Sequence, residues 1–302
     1  MMMTDTIYRG RFAPSPSGPL HFGSLVAALG SYLQAKSHNG LWLVRIEDID
    51  PPREVPGAAD LILRQLAGHG LEWDESVIWQ SQRSEAYDAA LAALQQQGRA
   101  YFCQCTRAQI KAAGGHYLGA CRRAGLGADG NSLRFLNTEP VMTFQDAHLG
   151  EIHADRGFAC EDFVLRRKDG LYAYHLASVV DDAASAITEV VRGADLLQPT
   201  ACQLALYHAL NLTPPAYLHL PVISTQPGQK LSKQNHAPAI DSACAADNVA
   251  KVLGWLNHPL PSELIGAPVG EMLAWAVANW QVSRLPDSQE VLPDEPGSRC
   301  AG

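Results

Sequence analysis

The chain contains neither a G-x-x-x-x-G-K-[ST] loop nor a G-x-G-x-x-G fingerprint, so the usual kinase, GTPase and dehydrogenase readings lose their support. No apolar run approaches the ~20 residues that span a membrane. Met1 to Tyr8 lacks the apolar core of a signal peptide, and we expect a cytoplasmic protein with no membrane partner. Basic residues are scarce: 23 Lys and Arg against 31 Asp and Glu leave a net charge of −8. An acidic chain does not grip nucleic acid over its whole surface, so a polyanion would have to meet a local patch. Dense basic clusters are limited to Arg122-Arg123 and Arg166-Arg167-Lys168, and such runs are ordinarily solvated surface. The seven cysteines, Cys103, Cys105, Cys121, Cys160, Cys202, Cys244 and Cys300, are odd in number and unevenly spread. That suits free thiols and a metal site better than a disulfide framework.

What is present is an ordinary globular composition, 47% hydrophobic and 18% charged over 302 residues, enough for one large domain or two modest ones. Ile7 to Phe12 reads as a short apolar strand. It runs into a Pro-, Ser- and Gly-rich loop that opens a helix with Leu25, Val26, Leu29, Tyr32 and Leu33 on one face. Leu41 to Ile46 is a continuous apolar run, a buried strand that Pro52 keeps from extending. Helical patterns follow around Leu61 to Leu66 and from a Ser84 cap through Tyr87, Leu91 and Leu94 to Gly98. Strand and helix alternating at this spacing predict a parallel sheet with right-handed crossovers.

From Arg99 the rhythm breaks into clustered cysteines, a Gly-rich stretch and short alternating segments, as in an insertion with its own small fold. Phe163 to Tyr174 reads as a hairpin and His175 to Asp182 as a short helix. Alternation resumes with strands at Ile187–Val191 and Tyr217–Ile223 around a helix near Gln198–Leu210. Two more helical patterns cover about Ala243–Leu256 and Val269–Trp280. The last twenty or so residues are polar and read as disordered.

Two loops could carry chemistry. His21 and Gly23 sit where the first strand ends and the first helix begins, a corner whose unpaired amides favour a phosphate. Lys230 and Lys233 lie beside a Gly-Pro turn in a loop straight after a late strand and could close over a polyphosphate. Both loops fall at strand ends, where open parallel sheets place their ligand crevice.

Pro14-Ser15-Pro16-Ser17-Gly18-Pro19-Leu20-His21-Phe22-Gly23-Ser24 resembles the "HIGH" region of class I aminoacyl-tRNA synthetases, and Lys230-Leu231-Ser232-Lys233-Gln234 resembles their "KMSKS" loop. Arg11 to Gly18, Arg45-Ile46-Glu47-Asp48, Tyr174-His175-Leu176-Ala177, Val179-Val180-Asp181-Asp182 and Val191-Arg192-Gly193-Ala194-Asp195 are similar to the glutamyl branch. The stretch after Gln234 is too short for the long helical region with which glutamyl-tRNA synthetases read the anticodon. The chain therefore resembles the truncated glutamyl-Q tRNA(Asp) synthetase family. That resemblance implies tRNA-independent activation of glutamate with ATP and Mg2+. Transfer to the queuosine base of tRNA-Asp would follow, by a chain we expect to be a monomer. It implies an α/β fold: residues 1–98 and 186–240 would form a Rossmann-like catalytic domain, interrupted at 99–185 by a small zinc-binding α+β insertion. A short helical region over 241–282 and a tail over 283–302 would follow, with no anticodon-binding domain.

The resemblance also implies roles: His21, Gly23, Lys230 and Lys233 for ATP and catalysis, and Arg11, Ala13, Ser15, Glu47, Tyr174 and Arg192 for glutamate. Arginines suit the two carboxylates, and Glu47 suits the α-ammonium. For zinc it implies Cys103, Cys105, Tyr117 and Cys121, whereas chemistry alone would favour His116 over Tyr117 as the fourth ligand. HFGS replaces HIGH, KLSKQ replaces KMSKS, and Ser178 stands where the charging enzymes usually have Asn, as in a relaxed pocket. Arg122, Arg123, Arg166 and Arg167 are the candidate contacts to tRNA. The alternatives are a minimal glutamyl-tRNA synthetase charging a 3′ end and an inactive synthetase-like RNA-binding protein.

Overall fold

The computed structural model describes residues 7–231 and 237–293. The first apolar segment is strand β1 (Arg9–Phe12), and the loop after it opens helix α1 (Phe22–Ser37). Strand β2 (Leu41–Ile46) pairs in parallel with β1, Phe12 opposite Val44. Pro51 and Pro52 then turn the chain into a short 3-10 segment. Helix α2 (Ala58–Gly68) leads to β3 (Ile78–Trp79), parallel to β2. Helix α3 (Ser84–Gln96) starts at Ser84 itself. Arg83 occupies the cap position with no side-chain bond, so Ser84 is not the cap the pattern suggested.

The insertion comprises β4 (Ala100–Cys103), α4 (Arg107–Ala112), β5 (Ser132–Phe135), β6 (Thr143–Asp146), β7 (Gly150–His153), α5 (Arg156–Ala159) and β8 (Val164–Arg166). β4, β5 and β8 form one antiparallel sheet, and β6 and β7 a separate hairpin. The return arm of the expected 163–174 hairpin shrinks to a single bridge, Arg166 to Tyr172. Tyr174 already begins helix α6 (Tyr174–Ala184).

The chain re-enters the main sheet with β9 (Glu189–Gly193), α7 (Pro199–Ala209) and β10 (Ala216–Leu220), β9 and β10 being parallel. The seam between the two halves is β1 beside β9: Thr188 donates its N–H to the Arg9 carbonyl at 2.9 Å, and Arg9 donates to the Thr188 hydroxyl at 2.9 Å. The strands fan outward from this seam in opposite directions. The carboxyl ends of β1 and β9 therefore flank the crevice that such a switch point creates. The late apolar run that reads as one strand is two, broken at Pro221: β10, then β11 (Val222–Gln226), which turns back through β12 (Gln229–Lys230). Gly228, at φ 74°, supplies the left-handed residue of that turn.

Helices α8 (Ala245–Trp255) and α9 (Val269–Asn279) pack on the outer side of α1. α1 is thus buried nearly all round rather than along one face, with Leu25, Val26, Ala28, Leu29, Leu33 and Ala35 no more than 2% exposed. The 283–302 tail is not wholly free of structure. Leu285 is buried, and β13 (Glu290–Val291) pairs in parallel with Val222 and Ile223 of β11. Two residues of edge strand in polar surroundings carry too little periodicity to be seen in sequence. No helix among the described residues is long and apolar enough to cross a membrane.

Candidate active site

His21 is the N-cap of α1, and its Nδ1 accepts the Ser24 N–H at 3.3 Å. A ring nitrogen that accepts carries no proton, so the imidazole is the neutral tautomer with its N–H at Nε2. The turn is fastened from the far end of the chain: His21 bridges to Ala239, and Ile240 donates to the Leu20 carbonyl at 2.9 Å. A Cβ on Gly23 would lie 3.0 Å from both the His21 ring and the Leu231 carbonyl, so glycine is what lets the two signature loops touch. In the second loop, Lys230 reaches the Asp195 carboxylate at 2.6 Å. Lys233 lies outside the described residues.

Arg11 and Arg192 are both buried, yet their partners differ in kind. Arg11 is bidentate to Asp182, at 2.9 and 3.2 Å. Arg45 binds the same carboxylate and, at 3.3 Å, Glu47. Burial works to raise the Asp182 carboxyl, but the charges and hydrogen bonds of Arg11 and Arg45 hold it down at about 2. Burial pushes the Glu47 carboxyl up against the pull of Arg45 and Arg11. Arg192 instead donates to neutral groups: the Tyr174 hydroxyl at 3.2 Å, Thr200 Oγ1 at 2.7 Å, the Leu196 carbonyl at 3.3 Å and His219 Nε2 at 3.2 Å. No carboxylate among the described residues pairs with it.

Arg11, Ala13, Ser15, Glu47, Tyr174 and Arg192 line one cavity of about 410 Å3. His21, Gly23 and Lys230 line the same cavity. It opens, past Ser15, Ser17, Glu47 and Tyr174, into a cleft of about 880 Å3 between the sheet and the insertion. Ser178 lies one helical turn beyond Tyr174, outside the lining of either space, its buried hydroxyl without a hydrogen bond.

At the mouth of the insertion the Sγ atoms of Cys103, Cys105 and Cys121 lie within 4.8 Å of one another. Thiolates placed tetrahedrally about 2.3 Å from a zinc ion sit about 3.8 Å apart, so the donor set fits the metal. Tyr117 is buried in the same cluster. Its hydroxyl oxygen accepts the Cys121 N–H at 2.7 Å, and the Arg134 guanidinium covers its ring at 3.9 Å. His116 turns elsewhere: it stacks edge-on against Phe158 and faces Glu161 at 3.9 Å. Cys160 and Cys202 are free thiols as read, but Cys244 is disulfide-bonded. Spacing along a chain does not tell which thiols folding brings together. Cys300 lies outside the described residues.

Of the four arginines expected to meet tRNA, three are engaged internally. Arg122 is bidentate to Asp162 at 2.7 Å, Arg167 reaches Asp50 at 3.1 Å and Asp169 at 2.6 Å, and Arg166 lies over the Tyr172 ring. Asp182 and Asp195 sit inside segments that the sequence singles out, but nothing there shows that one holds Arg11 and the other Lys230. Asp146, Thr200 and His219, which surround Arg192, belong to no recognisable pattern.

Against known proteins, a family model for the class I (E and Q) tRNA synthetase catalytic domain matches residues 8–249. A glutamyl-Q tRNA(Asp) synthetase of Klebsiella pneumoniae (strain 342) is 55% identical over 287 residues, which is 95% of this chain and 98% of that protein. One from Escherichia coli (strain K12) is 53% identical over 298 residues, 99% of this chain and 97% of that protein. The crystal structure of a glutamate–tRNA synthetase from Elizabethkingia anophelis superposes with a TM-score of 0.78 at 25% identity, covering 96% of this chain and 69% of that one. The chain therefore belongs to the glutamyl-Q tRNA(Asp) synthetase family, ligases built on the class I tRNA synthetase catalytic fold.

Proposed function

We propose that the chain activates glutamate with ATP in the absence of tRNA and then transfers it to the queuosine base in the anticodon loop of tRNA-Asp. One observation carries this reading. A buried guanidinium without a carboxylate partner, Arg192, shares a cavity with a histidine-capped helix N-terminus. The first attracts a substrate carboxylate, the second a phosphate. In the first step an α-carboxylate oxygen of glutamate attacks the α-phosphorus of ATP. The bond to the bridging oxygen breaks, and pyrophosphate leaves. His21 donates its Nε2 proton as a hydrogen bond to the α-phosphate as charge builds there. Lys230, with Lys233, takes the departing pyrophosphate, and Mg2+ accompanies ATP. Glu47, its carboxyl raised by burial, is completed by the α-ammonium, while Tyr174, Ser15 and the Ala13 backbone close the pocket. In the second step a hydroxyl of queuosine's cyclopentene-diol attacks the adenylate carbonyl and AMP leaves. The wider cleft beyond Tyr174 gives a splayed-out base room to approach.

Labelled glutamate should pass to tRNA-Asp that carries queuosine and not to the same tRNA without it, and pyrophosphate exchange should need no tRNA. Equal labelling of both tRNAs would sink the proposed acceptor.

Cys103, Cys105, Cys121 and Tyr117 would hold one zinc ion. It supplies cross-linking rather than chemistry, since four protein ligands leave no open position. Its task is to close the loops from Cys103 to Cys121, where Cys103, Tyr117 and Cys121 form a small buried cluster of their own. Metal analysis should find one zinc per chain. Removal by a chelator should lower the thermal midpoint by on the order of 3–5 °C, about 2–3 kcal/mol for a chain of this size. An unchanged midpoint after complete removal would exclude the structural role.

A further inference from the structure

Arg192 is held by His219, and His219 is held by Asp146. β9 and β10 pair in register, which sets His219 directly beside Arg192. His219 is fully buried and its Nε2 lies 3.2 Å from Arg192 Nε. A guanidinium Nε–H only donates, so Nε2 must be the acceptor and the imidazole proton must sit on Nδ1. Nδ1 faces Asp146 Oδ2 at 2.7 Å. Asp146, buried at the end of β6, also accepts the backbone N–H groups of His219, His148 and Leu149 at 3.1, 3.0 and 2.9 Å. Every contact of that carboxylate is with a donor, which keeps it ionised and fixes the tautomer of the ring beyond it.

The consequence for the pocket is electrostatic. A carboxylate in direct contact with Arg192 would satisfy the cation and compete with any incoming carboxylate. An imidazole between the two leaves the guanidinium oriented yet unneutralised. Thr200, whose hydroxyl lies 2.7 Å from Arg192 Nη2 and 3.2 Å from His219 Nε2, completes a wholly neutral first contact layer on that side.

We propose that His219 and Asp146 are positioning residues that fix the tautomer and direction of the Arg192 contact, so that the inserted β6–β7 hairpin sets the affinity of the amino-acid pocket. The proposal rests on the assignment of that pocket to glutamate. It differs from a purely structural role for His219, in which the ring merely anchors the hairpin through Asp146.

Two substitutions separate these. In His219→Asn the amide can mimic Nδ1–H toward Asp146 but offers Arg192 nothing. In His219→Gln the longer amide can place an oxygen where Nε2 was, while losing Asp146. Glutamate-dependent pyrophosphate exchange is measured for each, with glutamate and ATP varied in turn. If Arg192 positioning is the role, His219→Asn raises KM for glutamate by ~10-fold or more, as for loss of a buried hydrogen bond to a charged group. KM for ATP and kcat then stay within about threefold, and His219→Gln recovers most of the loss. The same KM for glutamate in His219→Asn and the unsubstituted enzyme, or a larger defect in His219→Gln than in His219→Asn, would overturn the proposal. Asp146→Asn puts an NH2 among donors and should raise the same KM. A melting transition recorded on every variant keeps an unfolded protein from being counted as a binding defect. If the unsubstituted enzyme shows no exchange with glutamate at all, the pocket assignment fails and this proposal with it.

Discussion

Replacing His21 by asparagine should slow glutamate-dependent pyrophosphate exchange by ~10²–10³-fold, the usual cost of removing one preorganised donor to developing charge. Asparagine is chosen because His21 has two tasks. Its Nδ1 caps α1 by accepting the Ser24 N–H, and asparagine is among the best residues at that position. The Nε2 proton, by contrast, has no counterpart in asparagine at the same reach. The thermal midpoint should therefore hold while the rate falls. His21→Ala should lose both functions, with about 1 kcal/mol of stability going with the cap. Exchange by His21→Asn within threefold of the unsubstituted enzyme would remove His21 from the chemistry and leave it a helix cap.

The second large effect belongs to Asp182, on which both Arg11 and Arg45 converge. All three side chains are no more than 5% exposed. Removing one partner of a buried ion cluster leaves charge with no compensation, at a cost of about 3–5 kcal/mol. Asp182→Asn should thus lower the thermal midpoint by on the order of 5–8 °C. It should also weaken glutamate binding, since Arg11 would no longer be held at the end of β1. The same residue gives the protein an acid limit. Its carboxyl titrates at about 2 when folded, against an ordinary value of 3.8. A depressed pKa stabilises the fold above the unfolded value. That contribution, roughly 2–3 kcal/mol at neutral pH, is lost as pH falls from about 4 through about 2. Melting curves in this window should be steeper in pH for the unsubstituted protein than for Asp182→Asn. Parallel curves would show that Asp182 is not the group responsible.

Sequence showed some of this plainly and hid the rest for physical reasons. Leu41–Ile46 was legible to the residue because a run apolar at every position but Arg45 meets the acidic Glu47-Asp48, and both signals act locally. The His21 turn was legible because strand end, glycine and helix start are neighbours in the chain. The break at Pro221 was hidden because Leu220, Val222 and Ile223 on either side of it are all apolar and read alike. The one-sided reading of α1 failed because α8 and α9 cover the face that would otherwise meet water. The support behind Arg192 was beyond reach. Asp146 and His219 stand 73 residues apart, and an imidazole in an apolar strand looks the same whether or not it holds a guanidinium. Likewise, a pairing of Lys230 with Asp195 or of Arg11 with Asp182 is set by the sheet, not by spacing.

The hairpin that carries Lys230 is gripped by residues made long after it. The Gly228 N–H donates to the Glu290 carboxylate at 2.9 Å, and Glu290 and Val291 pair with β11. The described residues that line the 410 Å3 cavity, Lys230 and Leu231 the last of them, are all made before Glu290. On a ribosome adding roughly 5–20 residues per second, that lining precedes the strand that steadies the Lys230 hairpin by about 3–12 s. During synthesis the Lys230 side of the cavity is thus, among the described contacts, the last to be steadied.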